Sequence, residues 1–321
     1  MKKKQLRAGI FIPILFILIA AATALRSIAI FTEFDFSTSY YSGGIFITAA
    51  NSIAVLGVLV SLSYLFTEAR RTKLIPSFSG SATYIPAGMV AVALVFMALG
   101  FLISSIRGES EGWAKTLSPI IAILASLGVV GFLLTTLTAK REDNMRAAFS
   151  MATVLFLAVY SLYLYCSSDL PINAPNKATD QMAYVASALF FLYETRISLG
   201  RSKWAAYIAF GMAAATLTAY SSIPSLIVYF ADGAVISNSI YETALTFALF
   251  VYITSRVSLA FALPLEKEST IVTSIREASA RREEELASMR AEEPQDTEAD
   301  TPPANYTMDI DINAQEKENE E

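Results

Sequence analysis

Residues 44–66 read GIFITAANSIAVLGVLVSLSYLF, and the seven residues that follow, 67–73, read TEARRTK. The first segment has no charged residue over 23 positions. As a helix it is long enough to cross the ~30 Å hydrocarbon layer of a membrane, which takes ~20 residues. The second segment places three basic residues beside the end of that helix, where headgroups and water would meet them. An apolar run closed by a basic loop is typical of a transmembrane span.

The same pattern recurs along the whole chain. Of the 321 residues, 54% are hydrophobic, and the mean hydropathy is +0.49. We predict membrane-spanning helices at 8–30, 44–66, 85–106, 116–138, 147–166, 180–199, 204–230 and 238–262. The predicted fold is therefore all-α, a polytopic transmembrane helix bundle of about eight spans.

Basic residues are distributed unevenly between alternate loops. One set of loops holds thirteen of them: Lys2, Lys3, Lys4, Arg7, Arg70, Arg71, Lys73, Lys140, Arg141, Arg146, Arg196, Arg201 and Lys203. The opposite set holds Arg107, Lys115 and Lys177, joined by Arg26 near the outer end of the first span. Because Lys and Arg are retained on the cytoplasmic side, both termini are predicted to be cytoplasmic in a multi-pass cell-membrane protein.

The first span has a second interpretation. Three lysines, an apolar run and the triplet Ala22-Thr23-Ala24 resemble a secretory signal with a cleavage site. Cleavage would leave seven spans in the same orientation. Arg26 and the apolar residues after it favour a retained span.

The rare residue types exclude several kinds of chemistry. The chain has no histidine and a single cysteine, Cys166. These counts exclude histidine-based catalysis, an intrachain disulfide and a cysteine-cluster metal site. The spans contain no HExxH, no GxSxG and no paired aspartates. We therefore predict a protein that is not an enzyme and holds no metal or cofactor.

Three charged residues are predicted to lie within the membrane. Thirteen uncharged residues separate Asp180 from Glu194, and thirteen separate Glu242 from Arg256. Such a stretch covers only ~20 Å, so Glu194, Arg196 and Arg256 must lie inside the inner half of the bilayer. We predict that Glu194 pairs with Arg256 across two helices. The alternatives are snorkelling of the side chains to the headgroups and a functional ion or substrate site.

A polar kink is predicted in the seventh span. Pro224 removes a backbone hydrogen bond there, and Tyr220, Ser221 and Ser222 precede it. One interpretation is that the hydroxyl groups bind the carbonyls that the proline frees. The other is that these side chains belong to a transport site.

Similar sequences end two of the spans. Residues 195–200 read TRISLG, and residues 255–260 read SRVSLA. They indicate a bundle built from duplicated helical hairpins, with chance as the alternative. The stretch FLYETR at 191–196, with Leu199-Gly200-Arg201, resembles a segment of uncharacterised eight-span membrane proteins of clostridial-type bacteria. That resemblance implies a bacterial inner membrane and no known activity.

The C-terminal part of the chain differs from the rest in charge. Residues 1–265 hold 18 basic and 12 acidic residues, a balance of +6, whereas 266–321 hold 6 and 17, a balance of −11. We predict a transmembrane domain over 1–263, a cytoplasmic helix over 264–292 and a disordered acidic tail over 293–321. The acidic end argues against nucleic acid as a partner.

Two functions are compatible with these features. The first is sensing, scaffolding or regulation without enzymatic activity, through a cytoplasmic protein partner of the tail. The alternative is a transporter for a small molecule or ion, with its site among spans six to eight. The lipid bilayer is the one partner that both functions share.

Overall fold

A computed structural model of the chain describes residues 11–66, 75–76, 84–108, 112–137, 144–167, 171, 174–198, 203–236, 239–262, 265–266, 281, 284 and 288. The chain divides into two compact units, 1–269 and 270–321. In the second unit, Arg281, Glu284 and Ser288 are helical and exposed. The remainder of the predicted helix up to 292 and the predicted acidic tail at 293–321 lie outside the described residues.

The described part of the first unit contains eight α-helices. They are α1 (Phe11–Glu33), α2 (Ile45–Ser63), α3 (Tyr84–Arg107), α4 (Gly112–Leu137), α5 (Asn144–Cys166), α6 (Pro175–Ser198), α7 (Trp204–Asp232) and α8 (Ile240–Ala262). A 3-10 turn, Tyr64–Phe66, prolongs α2. The predicted all-α helix bundle is confirmed.

Seven of these eight described helices, all except α6, are long and apolar enough to cross a membrane. The chain is therefore an integral membrane protein. Helix α6 is as long as the others, but it contains Lys177, Asp180, Glu194 and Arg196. It packs between α5 and α7, so its crossing of the membrane remains a prediction argued from its neighbours.

Helix α6 begins earlier than the sequence predicted. The expected start at residue 180 assumed that Asp180 lies at the membrane surface, whereas the helix starts at Pro175. Proline suits the first position of a helix because its missing N–H has no partner there. Lys177 and Asp180 are buried among neighbouring helices instead of facing water.

Short antiparallel strand pairs lie at the two ends of the bundle. Strand β1 (Phe34–Asp35) pairs with β2 (Tyr40–Tyr41), and β3 (Ile75–Pro76) pairs with β4 (Leu265–Glu266). The β4 residues fall inside the predicted helix 264–292, so the start of that helix was wrong. Leu265 and Glu266 are extended and pair with Pro76 and Ile75 of β3 instead of forming a helix.

Contacts between distant residues define the two ends of the bundle. Phe11 at the start of α1 and Phe261 at the end of α8 both pack edge-on against Tyr64, which follows α2. We call this end the β3–β4 face. Tyr41, which precedes α2, bonds to Asn176 at the start of α6, and this end is the β1–β2 face. Successive helices therefore run in alternate directions.

The helices from α3 to α8 form a closed ring. Each packs on the next, and α8 returns to pack against α3, while α1 and α2 pack on the outside of α7. In the most apolar 18-residue stretch of each helix, 78% of the residues of α7 are buried but only 22% of those of α2. Helix α7 is therefore the central helix of the bundle.

Two small residues allow the close packing around α7. Gly57 of α2 faces the Thr216 side chain, and a Cβ at Gly211 would lie 2.5 Å from Cγ2 of Val257 on α8. In lipid, where burial of apolar surface does not drive helices together, such close approach supplies the dispersion contacts. Gly57 and Gly211 therefore both lie at helix contacts.

Candidate functional site

Among the residues that the structure describes, six side chains that carry a formal charge are buried in the bundle, each between 1% and 5% exposed. They are Arg26, Lys177, Asp180, Glu194, Glu242 and Arg256. Charges within a membrane are costly and usually face the bundle interior. These six form two groups, separated along α6 by ~21 Å at 1.5 Å per residue.

The first group lies near the β3–β4 face and joins α6 to α8. Oε1 of Glu194 accepts hydrogen bonds from Nε of Arg256 at 2.8 Å and from the Tyr252 hydroxyl at 3.0 Å. It also lies 2.6 Å from Nη2 of Arg256. The structure thus brings together the two residues that the sequence paired, and both side chains face the interior instead of snorkelling to the surface.

Arg196, the third charged residue singled out from the sequence, does not join this pair. Its side chain is half-buried, and its guanidinium carbon lies 5.7 Å from the centre of the Tyr193 ring. Two residues apart on a helix, Arg196 and Glu194 point in different directions. Arg196 is therefore a cation stacked on an aromatic ring and not part of the buried group.

A small pocket adjoins the Glu194 carboxylate. Its walls come from four helices: Gly131, Phe132, Ser150, Thr153, Phe191, Glu194 and Tyr252. Its space is sufficient for about one water molecule. A carboxylate and three hydroxyl-bearing residues thus meet around a space of that size.

The second group lies near the β1–β2 face, beside Pro224 inside α7. Pro224 has no N–H, so the carbonyl of Tyr220, four residues earlier, has lost its helical donor. Nη1 of Arg26 donates to that carbonyl at 2.6 Å, and the guanidinium carbon lies 4.5 Å from the centre of the Tyr220 ring. Arg26 of α1 therefore satisfies the carbonyl that Pro224 frees.

This contact corrects the expectation that hydroxyl groups of α7 take that role. The hydroxyls of Thr218 and Ser222 donate to the carbonyls four residues before them, which belong to Ala214 and Thr218. The Ser221 hydroxyl donates to the Asp180 carboxylate. The side chain that reaches the freed Tyr220 carbonyl comes from a neighbouring helix, since Arg26 belongs to α1.

Asn176, the second residue of α6, connects α6 to Arg26 and to the β1–β2 pair. Its Oδ1 accepts hydrogen bonds from Nη2 of Arg26 at 2.8 Å and from the Tyr41 hydroxyl at 3.3 Å. Its Nδ2 is buried and has no hydrogen-bond partner among the described residues. A donor is therefore left over at this point of the bundle.

The remaining members of this group link α6 to α8 and to the end of α5. Nζ of Lys177 donates to the Ser167 carbonyl at 2.7 Å. The Tyr184 hydroxyl lies 2.8 Å from the Thr246 hydroxyl, one turn beyond Glu242. The Tyr184 hydroxyl also lies 3.4 Å from the Glu242 carbonyl, to which it donates. Two cations and two carboxylates thus lie close together in the interior.

Sequence reasoning missed this second group. Arg26 and Lys177 served only as topology markers, and Asp180 and Glu242 only as limits of the apolar stretches. The sequence did contain a signal for these residues. Thirteen uncharged residues are too few to cross the bilayer, so each of the two helices could extend past its uncharged stretch at either end. The sequence argument prolonged both helices only toward Arg196 and Arg256.

Comparison with protein-family models, curated proteins and solved structures found no match to this chain.

Proposed function

We propose that this integral membrane protein transports a small molecule or an ion, with its site among α6, α7 and α8. The observation that supports the proposal is the burial of charges of both signs at two levels of α6. Bundles held together by packing alone do not need such groups, and intramembrane ionisable residues usually mark substrate or ion pathways.

The proline inside α7 also supports this proposal. Transporter sites lie near irregular helices whose backbone groups are turned away from the helical ladder. Pro224 leaves the Tyr220 carbonyl available to Arg26, while Ser221, one residue later, bonds to Asp180. A movement of α7 at Pro224 would therefore alter two polar contacts of the buried charges at once.

Transport can be tested with the full-length protein in liposomes that contain a pH-sensitive dye. Carboxylates, amino acids, sugars and sodium would be added outside in turn, under an imposed membrane potential, while solute uptake and internal pH are followed. We expect uptake of one of these classes, and at least a tenfold slower rate for Asp180→Asn and Glu242→Gln.

Asp35→Asn is the matched control for these variants. Asp35 is an exposed carboxylate of β1, and hydrogen bonds from the side chain and backbone N–H of Ser37 hold its pKa below the ordinary value. Its removal should leave uptake unchanged. Absence of uptake in every class, with the protein folded and inserted, would contradict the proposal.

The alternative is a non-enzymatic sensing, scaffolding or regulatory role, in which the acidic tail binds a cytoplasmic protein. The balance of −11 over 266–321 favours it, since the basic loops at 70–73, 140–146 and 196–203 could attract such a segment. We also propose a bacterial inner membrane as the location, on the resemblance at 191–201. Uptake by a chain ending at residue 292 separates the two roles, because a transporter would retain it.

A further inference from the structure

We propose that Arg26 and Asn176, at the N-terminus of α6, form a binding site for a small carboxylate anion. The inference deepens the proposed function, on which it rests for its role in transport, because it names the substrate class of the group near the β1–β2 face. Three independent features of these residues lead to it.

The first feature is a buried cation with only neutral partners. Arg26 is 2% exposed. Its guanidinium donates to the Tyr220 carbonyl and to Oδ1 of Asn176 and lies over the Tyr220 ring. Among the described residues, no carboxylate forms a salt bridge with it. Buried charges in proteins are normally paired, so Arg26 itself lacks the anionic partner that such a cation usually has.

The second feature is the unused donor of Asn176. This side chain is 3% exposed, and its Oδ1 is held by Arg26 and by the Tyr41 hydroxyl. With Oδ1 so held, the amide group is oriented and Nδ2 is left buried without a partner in the described part of the chain. A buried donor of this kind destabilises the protein unless an acceptor binds to it.

The third feature is the position of Asn176 in the first turn of α6, a helix of 24 residues. The first N–H groups of a helix have no partner within it, and the helix dipole favours negative charge at this end. Lys177, the next residue, adds a buried positive charge. The dipole, the two cations and the free amide donor therefore all favour an anion.

A carboxylate fits these donors best. A guanidinium has five N–H groups in a planar fork, and the hydrogen bonds of Arg26 described here use two nitrogens and leave Nε. Planar forks bind carboxylates through two parallel hydrogen bonds. The Tyr41 hydroxyl, from the β1–β2 pair, bonds to the same asparagine and limits the ligand to a small one.

The negative groups nearby limit the ligand to a single charge. Asp180 lies one turn further along α6 and accepts a hydrogen bond from Ser221. Glu242 lies on α8, where its carbonyl is 3.4 Å from the Tyr184 hydroxyl of α6. With Arg26 and Lys177 ionised, the four charged residues of the group sum to zero. A monovalent anion then adds the smallest charge that the bilayer must accommodate.

The test is direct binding of radiolabelled acetate to the full-length protein in detergent micelles, followed by scintillation proximity, with chloride as the competitor. We expect saturable acetate binding, and at least a tenfold loss of affinity in Asn176→Asp. That variant has nearly the same shape, but it supplies a carboxylate beside Arg26 from within the chain. Its unfolding temperature should equal or exceed that of the wild type, which separates occupancy of the site from misfolding.

Arg196→Gln is the matched control, since it removes a half-buried cation near the β3–β4 face and should leave acetate affinity unchanged. Equal acetate affinity in Asn176→Asp and wild type, or no acetate binding to the folded wild type, would overturn the proposal. Chloride binding tenfold tighter than acetate would overturn the carboxylate assignment. Acetate binding without uptake in liposomes would support this site and contradict the proposed transport function. Uptake of a neutral solute without acetate binding would support transport and contradict this site.

Discussion

Glu194 and Arg256 show how charged residues are accommodated when the uncharged stretch of a helix is too short to cross the bilayer. Each is buried, and the carboxylate oxygen that faces Arg256 also accepts a hydrogen bond from Tyr252. A buried pair of this kind contributes little net stability compared with an apolar pair, because both charges lose their hydration. Removal of one partner is costly, since the other charge is left in the low-dielectric interior.

A charge swap tests the pair. We expect Glu194→Gln and Arg256→Gln each to lower the free energy of unfolding by about 3–5 kcal/mol, the cost of an uncompensated buried charge. Glu194→Arg combined with Arg256→Glu should recover much of the loss suffered by Glu194→Arg alone, although the bond from Tyr252 is not restored. Denaturant unfolding in detergent measures these values.

Arg196→Gln serves as the control for this cycle, because Arg196 is half-buried over the Tyr193 ring and outside the pair. Its effect should stay within about 0.5 kcal/mol, as for most changes away from buried networks. Single variants at 194 and 256 as stable as the wild type would refute an energetic coupling between the two residues.

A single proline, Pro224, changes the backbone hydrogen bonding of helix α7. The helix packs against α1, α2, α6 and α8. Because Pro224 has no N–H, the Tyr220 carbonyl needs another donor, which α1 provides through Arg26 at 2.6 Å. This hydrogen bond and the cation–π contact beside it add to the packing that holds α1 against α7.

A double-mutant cycle measures this link. In Pro224→Ala, residue 224 regains an N–H that can donate to the Tyr220 carbonyl, so Arg26 becomes less important. We expect Arg26→Gln to destabilise the wild type more than it destabilises Pro224→Ala, with a coupling free energy of about 0.5–3 kcal/mol. Thermal unfolding of the four proteins in the same detergent gives the value.

Pro119 of α4 provides the matched comparison, since it also lies inside a helix and is exposed. Pro119→Ala and Arg26→Gln should be additive. A coupling at Pro224 no larger than at Pro119 would show that the contribution of Arg26 does not depend on Pro224.

At the level of the whole molecule, alternate helix directions place successive loops at opposite ends of the bundle. The basic loops at 70–73, 140–146 and 196–203 lie between helices that end and begin at the β3–β4 face. The positive-inside rule predicts that this face is cytoplasmic. The orientation is still a prediction, and it depends on α6 crossing the membrane despite its four charged residues.

Reporter fusions test both points. A reporter that works only outside the cytoplasm should be active after Pro171 and after Asp232, at the β1–β2 face, and silent after Lys203, because α6 and α7 each cross once. Activity after Lys203 would contradict the orientation. Equal activity at 171 and 203 would show that α6 does not span.

Deletion of residues 293–321 should leave membrane insertion and folding intact. That segment holds ten acidic residues and one lysine, and so little apolar surface that its removal costs the transmembrane bundle almost nothing. Thermal unfolding in detergent should agree with the full-length protein to within about 0.5 kcal/mol. A large loss of stability would mean that the segment is docked on the bundle.

The sequence alone was sufficient to predict the number and approximate limits of the helices. Such a prediction compares the length of each apolar run with the fixed thickness of the bilayer, so it needs no information from distant parts of the chain. A count of uncharged residues is also local, and it predicted that Glu194, Arg196 and Arg256 lie at membrane depth; of these three, the structure buries Glu194 and Arg256.

The sequence suggested Glu194 and Arg256 as partners from their similar predicted depth, but only the tertiary structure shows that these two side chains meet. Glu194 and Arg256 are 62 positions apart, and Arg26 is 194 positions from the carbonyl that it binds. Those contacts depend on which helices are neighbours and how each is rotated. In a bilayer that choice comes from close packing at small residues such as Gly57 and Gly211, which many sequences satisfy in many ways. For this reason Asn176, Asp180 and Glu242 became candidates only once α6, α7 and α8 were seen together.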